Sequence, residues 1–204
     1  MADMGAFREA VTAWAAGGPG DAVTGMAAVL SVRTVVLLEG PSDVAAVEAL
    51  TGRQGRDPAA EGVCVLSMGG AMNAGRFARL LGPAGLGLRL TGLCDARERG
   101  YYARGFDAAG APHDFFVCAA DLEEELIRAL GAPRVRELVE AEGDLRPLRT
   151  FLSQPAQRGR TAEQQLRRFL GTKKGRKIHY GRVLVEALGP GAVPAPLEDL
   201  LAAL

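Results

Sequence analysis

Cysteine is scarce and dispersed. The 204-residue chain has three, Cys64, Cys94 and Cys118, each inside or at the end of an apolar run and none in a C-x-x-C pair. That spacing argues against a zinc site and reads as buried free thiols in a reducing compartment. No stretch is long and apolar enough to span a bilayer, so no membrane partner is expected. The N-terminus lacks a basic segment followed by an apolar run, so no signal peptide is expected either, and a cytoplasmic location is. Net charge is missing too. The 24 Lys and Arg balance 24 Asp and Glu, so total charge points to no nucleic-acid or membrane partner. Neither G-x-G-x-x-G nor the Walker pattern occurs, which argues against ATPase chemistry in this chain. Aromatics make up 5% of residues, with a single tryptophan, Trp14, expected to anchor an N-terminal helix.

What is present is apolar and small. Hydrophobic residues reach 48%, and 27 glycines beside many alanines suggest helices packed closely on a sheet. The charge, though balanced, is segregated. Asp121 to Asp144 holds eight acids and three arginines, while Arg158 to Arg182 holds nine Lys or Arg and one acid, Glu163. An acidic block is therefore followed by a basic one.

Apolar, β-rich runs recur at Thr34–Leu38, Val63–Ser67, Leu88–Cys94 and Phe115–Cys118. Helix-like segments separate them, at Asp43–Leu50, Asn73–Leu81 and Arg97–Phe106. Strands alternating with helices predict a parallel α/β sheet, and continuous apolar strands predict one covered on both faces. Two helices precede it, over Phe7–Ala16 and Ala22–Leu30. After Cys118 the pattern is helical, around Arg134–Glu142, Arg146–Leu152 and Arg176–Leu188, with capping boxes expected at Asp121/Glu124 and Thr161/Gln164. The proline-rich tail is expected to pack back as a short helix. These signals divide the chain into N-terminal helices (1–32), an α/β domain (33–131) and a basic helical extension (132–204).

In an open parallel sheet, functional groups gather at the carboxyl ends of strands. Glu39 follows the first strand, Asp95 the third with Glu98 one turn on, and Asp121 the fourth, followed by Glu123, Glu124 and Glu125. So many carboxylates at one edge repel each other unless a cation compensates, and oxygen-only ligands suit Mg²⁺ or Mn²⁺. Each has a plainer reading. Asp43 can simply oppose a helix dipole, Asp121 can be only an N-cap, and Glu123 to Glu125 can be solvated helix surface. "SMGGAMNAGRF" is a glycine-rich turn that either presents amides to a phosphate or only packs tightly.

The stretches "VVLLEGPSDVAAVEAL", "LCDARE" and "VCAADLEEELIRALG" resemble the TOPRIM domain. That metal-binding fold is shared by type IA and type II topoisomerases, primases, small ribosomal RNA maturases, recombination mediators and OLD-family nucleases. The E-G-x-[ST]-D and D-L-E-x-E-L elements resemble the OLD branch most, in particular its short actinobacterial TOPRIM proteins. The resemblance covers Thr34 to Gly131. It extends to "GTKKGRKIHYGR", which is similar to the lysine-bearing helix after the core in OLD nucleases. It implies a Rossmann-like sheet of four parallel strands and a two-metal site, so that with the helical extension read above the expectation is a TOPRIM fold holding one or two Mg²⁺ or Mn²⁺ ions. Full-length OLD proteins carry an ATPase domain. This chain shows none, so it is expected to stand alone or to use an ATPase partner in trans.

The resemblance assigns one metal to Glu39, Asp43 and Asp121 with Glu123 nearby, and another to Asp95 and Glu98, either alone or with Glu39 shared between the two metals. Lys177, or else Lys174, would stabilise the phosphate in the transition state. Arg160, Arg167, Arg168, Lys173 and Arg176 would hold the nucleic-acid backbone, unless they are exposed helix faces or pair with the acidic block. One departure stands out. Where many TOPRIM domains have D-x-D, this chain has Asp95-Ala96-Arg97, which puts two-metal stoichiometry in question. The function implied is a metal-dependent DNA endonuclease or nickase. A structured-RNA nuclease, a nucleic-acid-binding module and a degenerate partner subunit remain as alternatives, and homo-oligomerisation is open.

Overall fold

The structure, a computed structural model, describes residues 3–204. For Lys174 the backbone alone is described, so the role expected of its side chain lies outside the described residues. Four strands, β1 (Thr34–Leu38), β2 (Val63–Ser67), β3 (Arg89–Asp95) and β4 (Phe115–Cys118), form one all-parallel sheet in the order β2-β1-β3-β4. The connecting helices are α3 (Pro41–Arg53), α4 (Ala74–Leu81) and α5 (Arg99–Ala108). Before the sheet come α1 (Met4–Ala15) and α2 (Asp21–Val29). After it come α6 (Leu122–Leu130), α7 (Ala132–Ala141), α8 (Leu145–Leu152), α9 (Ala162–Leu170), α10 (Lys174–Glu186) and α11 (Ala195–Ala202). The predicted α/β class holds. The tail does form a helix, α11, packed near β4.

Side chains on a strand alternate between faces, so a run buried throughout feeds two cores. Val36 and Leu38 of β1 face a cluster built with α3, α6 to α11, including Leu126, Phe169, Tyr180 and Leu184. Val35 and Leu37 face a second cluster built with α1, α2, α4 and α5, including Phe7, Phe77 and Phe106. The first cluster runs across residue 132, from Val36 to Leu201, so the helical extension shares a core with one sheet face. Each fully buried Leu, Val or Phe contributes about 1.5–3 kcal/mol relative to exposure. Trp14 is partly buried against the second cluster, the anchor expected of it.

Two close approaches set the geometry around the carboxyl edge. At Gly92, within β3, a Cβ would lie 2.5 Å from the Leu37 carbonyl and 2.9 Å from the Tyr102 ring. The bare position lets Tyr102 lie on the sheet, where its hydroxyl donates to the Leu37 and Leu93 carbonyls at 3.2 and 3.0 Å. At Gly181 a Cβ would lie 2.6 Å from the Ser42 carbonyl. That contact seats α10 on the first turn of α3, one helical turn from Lys177.

The caps came out unequally. Thr161 and Gln164 form both halves of their box, at 3.3 and 3.2 Å. Asp121 accepts the Glu124 N–H at 2.8 Å, but Glu124 does not return the bond. Its carboxylate turns to Arg167 instead, 3.4 Å away. In the glycine-rich turn, Gly70 donates its N–H to the Glu39 carbonyl at 2.9 Å, and Asn73 donates to Met68 O at 2.9 Å. The Gly70 amide is thus spent on bracing the Glu39 backbone, the tight-turn reading.

Candidate metal centre and nucleic-acid groove

Register brings the acids together. Leu38 pairs with Leu93, and Asp95 pairs with Cys118. Glu39 and Asp95 therefore leave neighbouring strands within about one residue step of the same edge. Glu98, at the N-cap of α5, swings back toward them. Carboxylate oxygens of Glu39, Asp95 and Glu98 all lie within 4.8 Å of one another, and all three residues are partly buried. Burial pushes the Asp95 carboxyl up to about 7, with Asp121, Asp43, Glu39 and Glu123 adding repulsion. Burial also pushes Glu98 up to about 8, reinforced by its contact with Glu39. One oxygen of Glu98 is buried with no hydrogen-bond partner. A buried, unpartnered oxygen in an all-carboxylate cluster is costly alone and suits a hard divalent cation. The residues present fit Mg²⁺ or Mn²⁺.

The other expected ligands are nearby but engaged elsewhere. Asp43 accepts the Gly40 N–H at 2.9 Å. Burial raises its carboxyl, which Lys177 and the Gly40 amide counter. Asp121 caps α6 and also accepts from Arg167 Nε at 2.6 Å. Glu123 is buried and lies 3.2 Å from the Lys177 ammonium. Burial carries Glu123 up to about 7 against the pull of Lys177. Burial works to lower Lys177, yet Glu123, Asp43 and Asp121 outweigh it and hold the ammonium above its ordinary range. Thus, among the described residues, Asp95 and Glu98 are the acids that bring carboxylate oxygens within 4.8 Å of Glu39 and of each other, while Asp43, Asp121 and Glu123 are held by Gly40, Arg167 and Lys177.

Beside this edge lies a cavity of about 660 Å³. Asp121, Glu123, Lys177, Arg160, Arg167 and Arg168 line it, with Phe151, Gln164 and Thr172. Arg160 and Arg168 are exposed and face no acid in an ion pair among the described residues. Lys173 opens instead onto a neighbouring groove of about 380 Å³ with Arg146. Sequence reasoning missed Phe151, Gln164, Thr172 and Arg146. Gln164 was marked only as a helix cap and Thr172 only as part of "GTKKGRKIHYGR", no motif marks Phe151 or Arg146, and only the folding of α8 to α10 gathers them.

Three expectations need correction. Arg176 is not free for a phosphate: its side chain is 9% exposed, pairs with Asp144 at 3.0 Å and stacks 4.2 Å from the Phe169 ring centroid. Arg167 is likewise committed, to Asp121 and Glu124. Glu123 and Glu125 are not solvated surface. Glu125 is buried, accepts the Ala119 N–H at 2.8 Å and pairs with Arg128. It braces the loop between β4 and α6 that carries Asp121. Replacing Arg176 with alanine should cost about 2 kcal/mol, because Asp144 loses its guanidinium partner and the Phe169 ring its stacked cation. A lower urea midpoint with an unchanged slope would show it.

Parallel strands in the order β2-β1-β3-β4, with acids following β1, β3 and β4, agree with the four-stranded parallel sheet that the sequence resemblance implied. Residues 32–96 match the family described as overcoming lysogenization defect protein-like, TOPRIM domain. The fold resembles the C-terminal region of the Xanthomonas campestris pv. campestris OLD protein, with a TM-score of 0.62 at 23% identity over 84% of this chain and 93% of that one. It also resembles the C-terminal region of the Burkholderia pseudomallei OLD protein, with a TM-score of 0.61 at 18% identity over 84% and 96%. Among curated proteins none matches. Residues 32–96 are therefore similar to the OLD-like TOPRIM family, and the fold as a whole is similar to the C-terminal regions of OLD proteins. The family match ends at Ala96, so Glu98, Asp121 and Lys177 rest on the geometry alone. Among the described residues, no helix is long and apolar enough to cross a membrane.

Proposed function

We propose that the protein is a divalent-cation-dependent nucleic-acid phosphodiesterase, acting as a DNA endonuclease or nickase. One observation carries this reading: three carboxylates lie within 4.8 Å of one another, and Asp121 and Glu123, whose charges repel Asp95, line a groove with Arg160, Arg168 and Lys177. Glu39, Asp95 and Glu98 would hold Mg²⁺ or Mn²⁺, which when bound supplies Lewis acidity and a nucleophilic water at neutral pH. Lys177, kept charged by Glu123 and Asp43, faces the groove as the cation for the phosphate's developing charge. Arg160 and Arg168 would steady the backbone on either side. Asp121 is held by Arg167, so a second ion that needs Asp121 must first displace a guanidinium.

Two measurements follow. Wild-type protein should nick or linearise supercoiled plasmid in Mn²⁺ or Mg²⁺ and stop in EDTA. Intact plasmid, together with cleavage of a structured RNA, would move the reading to an RNA substrate. Titration calorimetry with Mn²⁺ should give one ion per chain. Two ions of similar affinity would mean that Arg167 yields Asp121 readily.

A further inference from the structure

The basic block is poorer in free cations than its sequence suggests. Arg167, Arg176 and Lys177 each pair with an acid. A second supply lies across the sheet. Arg97, Arg99 and Arg104 are exposed, and none of them forms an ion pair among the described residues. Arg97 and Arg99 flank Glu98 in the chain, and Arg99 opens α5. A cation in a first turn opposes the helix dipole, and α5 has no acid in its first turn to offset it. Arg104 sits one turn on, its guanidinium 5.1 Å from the Tyr101 ring centroid.

The same rim is unusually apolar. Three large hydrophobic side chains are exposed among the described residues, and two of them, Met72 at 77% and Tyr101 at 38%, stand here. Met72 lies in the turn after β2, a short 3₁₀ segment packed near α5. Buried faces fix where this rim points. Tyr102 and Phe106 of α5 join the core on one face of the sheet, while Phe169 of α9 and Tyr180 of α10 join the core on the other. The carboxylates lie on the edge between.

From this placement we infer that the first turns of α5, with Arg97, Arg99, Arg104 and Tyr101, form a second nucleic-acid contact. Together with α9 and α10 it clamps a duplex over the carboxyl edge from both faces of the sheet. The arginines take phosphates, and Tyr101 and Met72 lie against sugars or an opened base. The inference rests on the phosphodiesterase reading. It also gives a role to the arginine of Asp95-Ala96-Arg97, which stands where many TOPRIM domains have the second aspartate of D-x-D.

The test is binding of a fluorescein-labelled nicked duplex, followed by anisotropy across a salt series, with Ca²⁺ replacing Mg²⁺ to suppress turnover. The triple variant Arg97→Ala/Arg99→Ala/Arg104→Ala should bind roughly ten-fold or more weakly, and its slope of log K against log salt should be shallower by about 2 to 3. Tyr101→Ala should weaken binding about three-fold or more with the slope unchanged, because stacking carries no counterion release. Both variants change exposed residues, and their melting curves should match wild type. A triple variant with wild-type affinity and slope overturns the inference alone. Wild-type protein that binds no nucleic acid overturns the phosphodiesterase reading, and this inference with it.

Discussion

Glu39→Ala should abolish plasmid cleavage, lowering the rate by on the order of 10³-fold or more, comparable to losing several kcal/mol of charge stabilisation. The residue is placed for that effect. It follows a strand buried along its whole length, and its backbone carbonyl is held by Gly70, so its carboxylate has little freedom. It joins Asp95 and Glu98, which come from one other strand and the helix after it. Removing it leaves two acids that face each other without the third ligand. DNA binding should survive, because the groove cations are untouched. Loss of binding in parallel with activity would indicate a misfolded edge.

Glu98→Gln should do two opposite things. Without metal it should raise the melting temperature, because glutamine is neutral in the folded and the unfolded chain alike and needs no proton to enter a cluster that resists one more charge. The sign is set by the direction of the shift. Glu98 is held near 8 in the folded protein, above its ordinary 4.5. A raised carboxylate opposes folding as pH climbs past 4.5, and the penalty is complete only above 8. The gain from glutamine should therefore be largest near pH 8 and fade toward pH 5. With metal the order should reverse. Wild type in Mn²⁺ at a hundred-fold excess over Kd gains about 2.7 kcal/mol, or roughly 5–10 °C for a chain of this size, and the variant gains little. A variant that is less stable than wild type in EDTA at pH 8 would mean the acids are not strained.

The parts of this fold that were legible are those where one residue type has one plausible place. The four strands read correctly because parallel strands covered on both faces must be continuous apolar runs. Glu39 and Asp95 stood out because a carboxylate at the end of such a run has few structural excuses. Glu98 was legible as their partner by spacing, one turn beyond Asp95. The unreadable parts depend on partners distant in sequence. Arg167 reaches Asp121 from 46 positions away, which engages one expected metal ligand and one expected phosphate contact with each other. Arg176 looked like any surface arginine until Asp144 and Phe169 enclosed it. Glu123 and Glu125 sit in a run of three glutamates, and nothing local says which two of them turn inward. The groove of Phe151, Gln164 and Thr172 exists only once α8, α9 and α10 are assembled.

The most direct test of the cation cradle is a crystal soaked in Mn²⁺ and an anomalous difference map. The expected result is a peak coordinated by Glu39, Asp95 and Glu98, about 2.1–2.3 Å from their oxygens. An ion held instead at Asp43 and Asp121 with Arg167 displaced, or no ion at this edge at saturating Mn²⁺, would contradict the account.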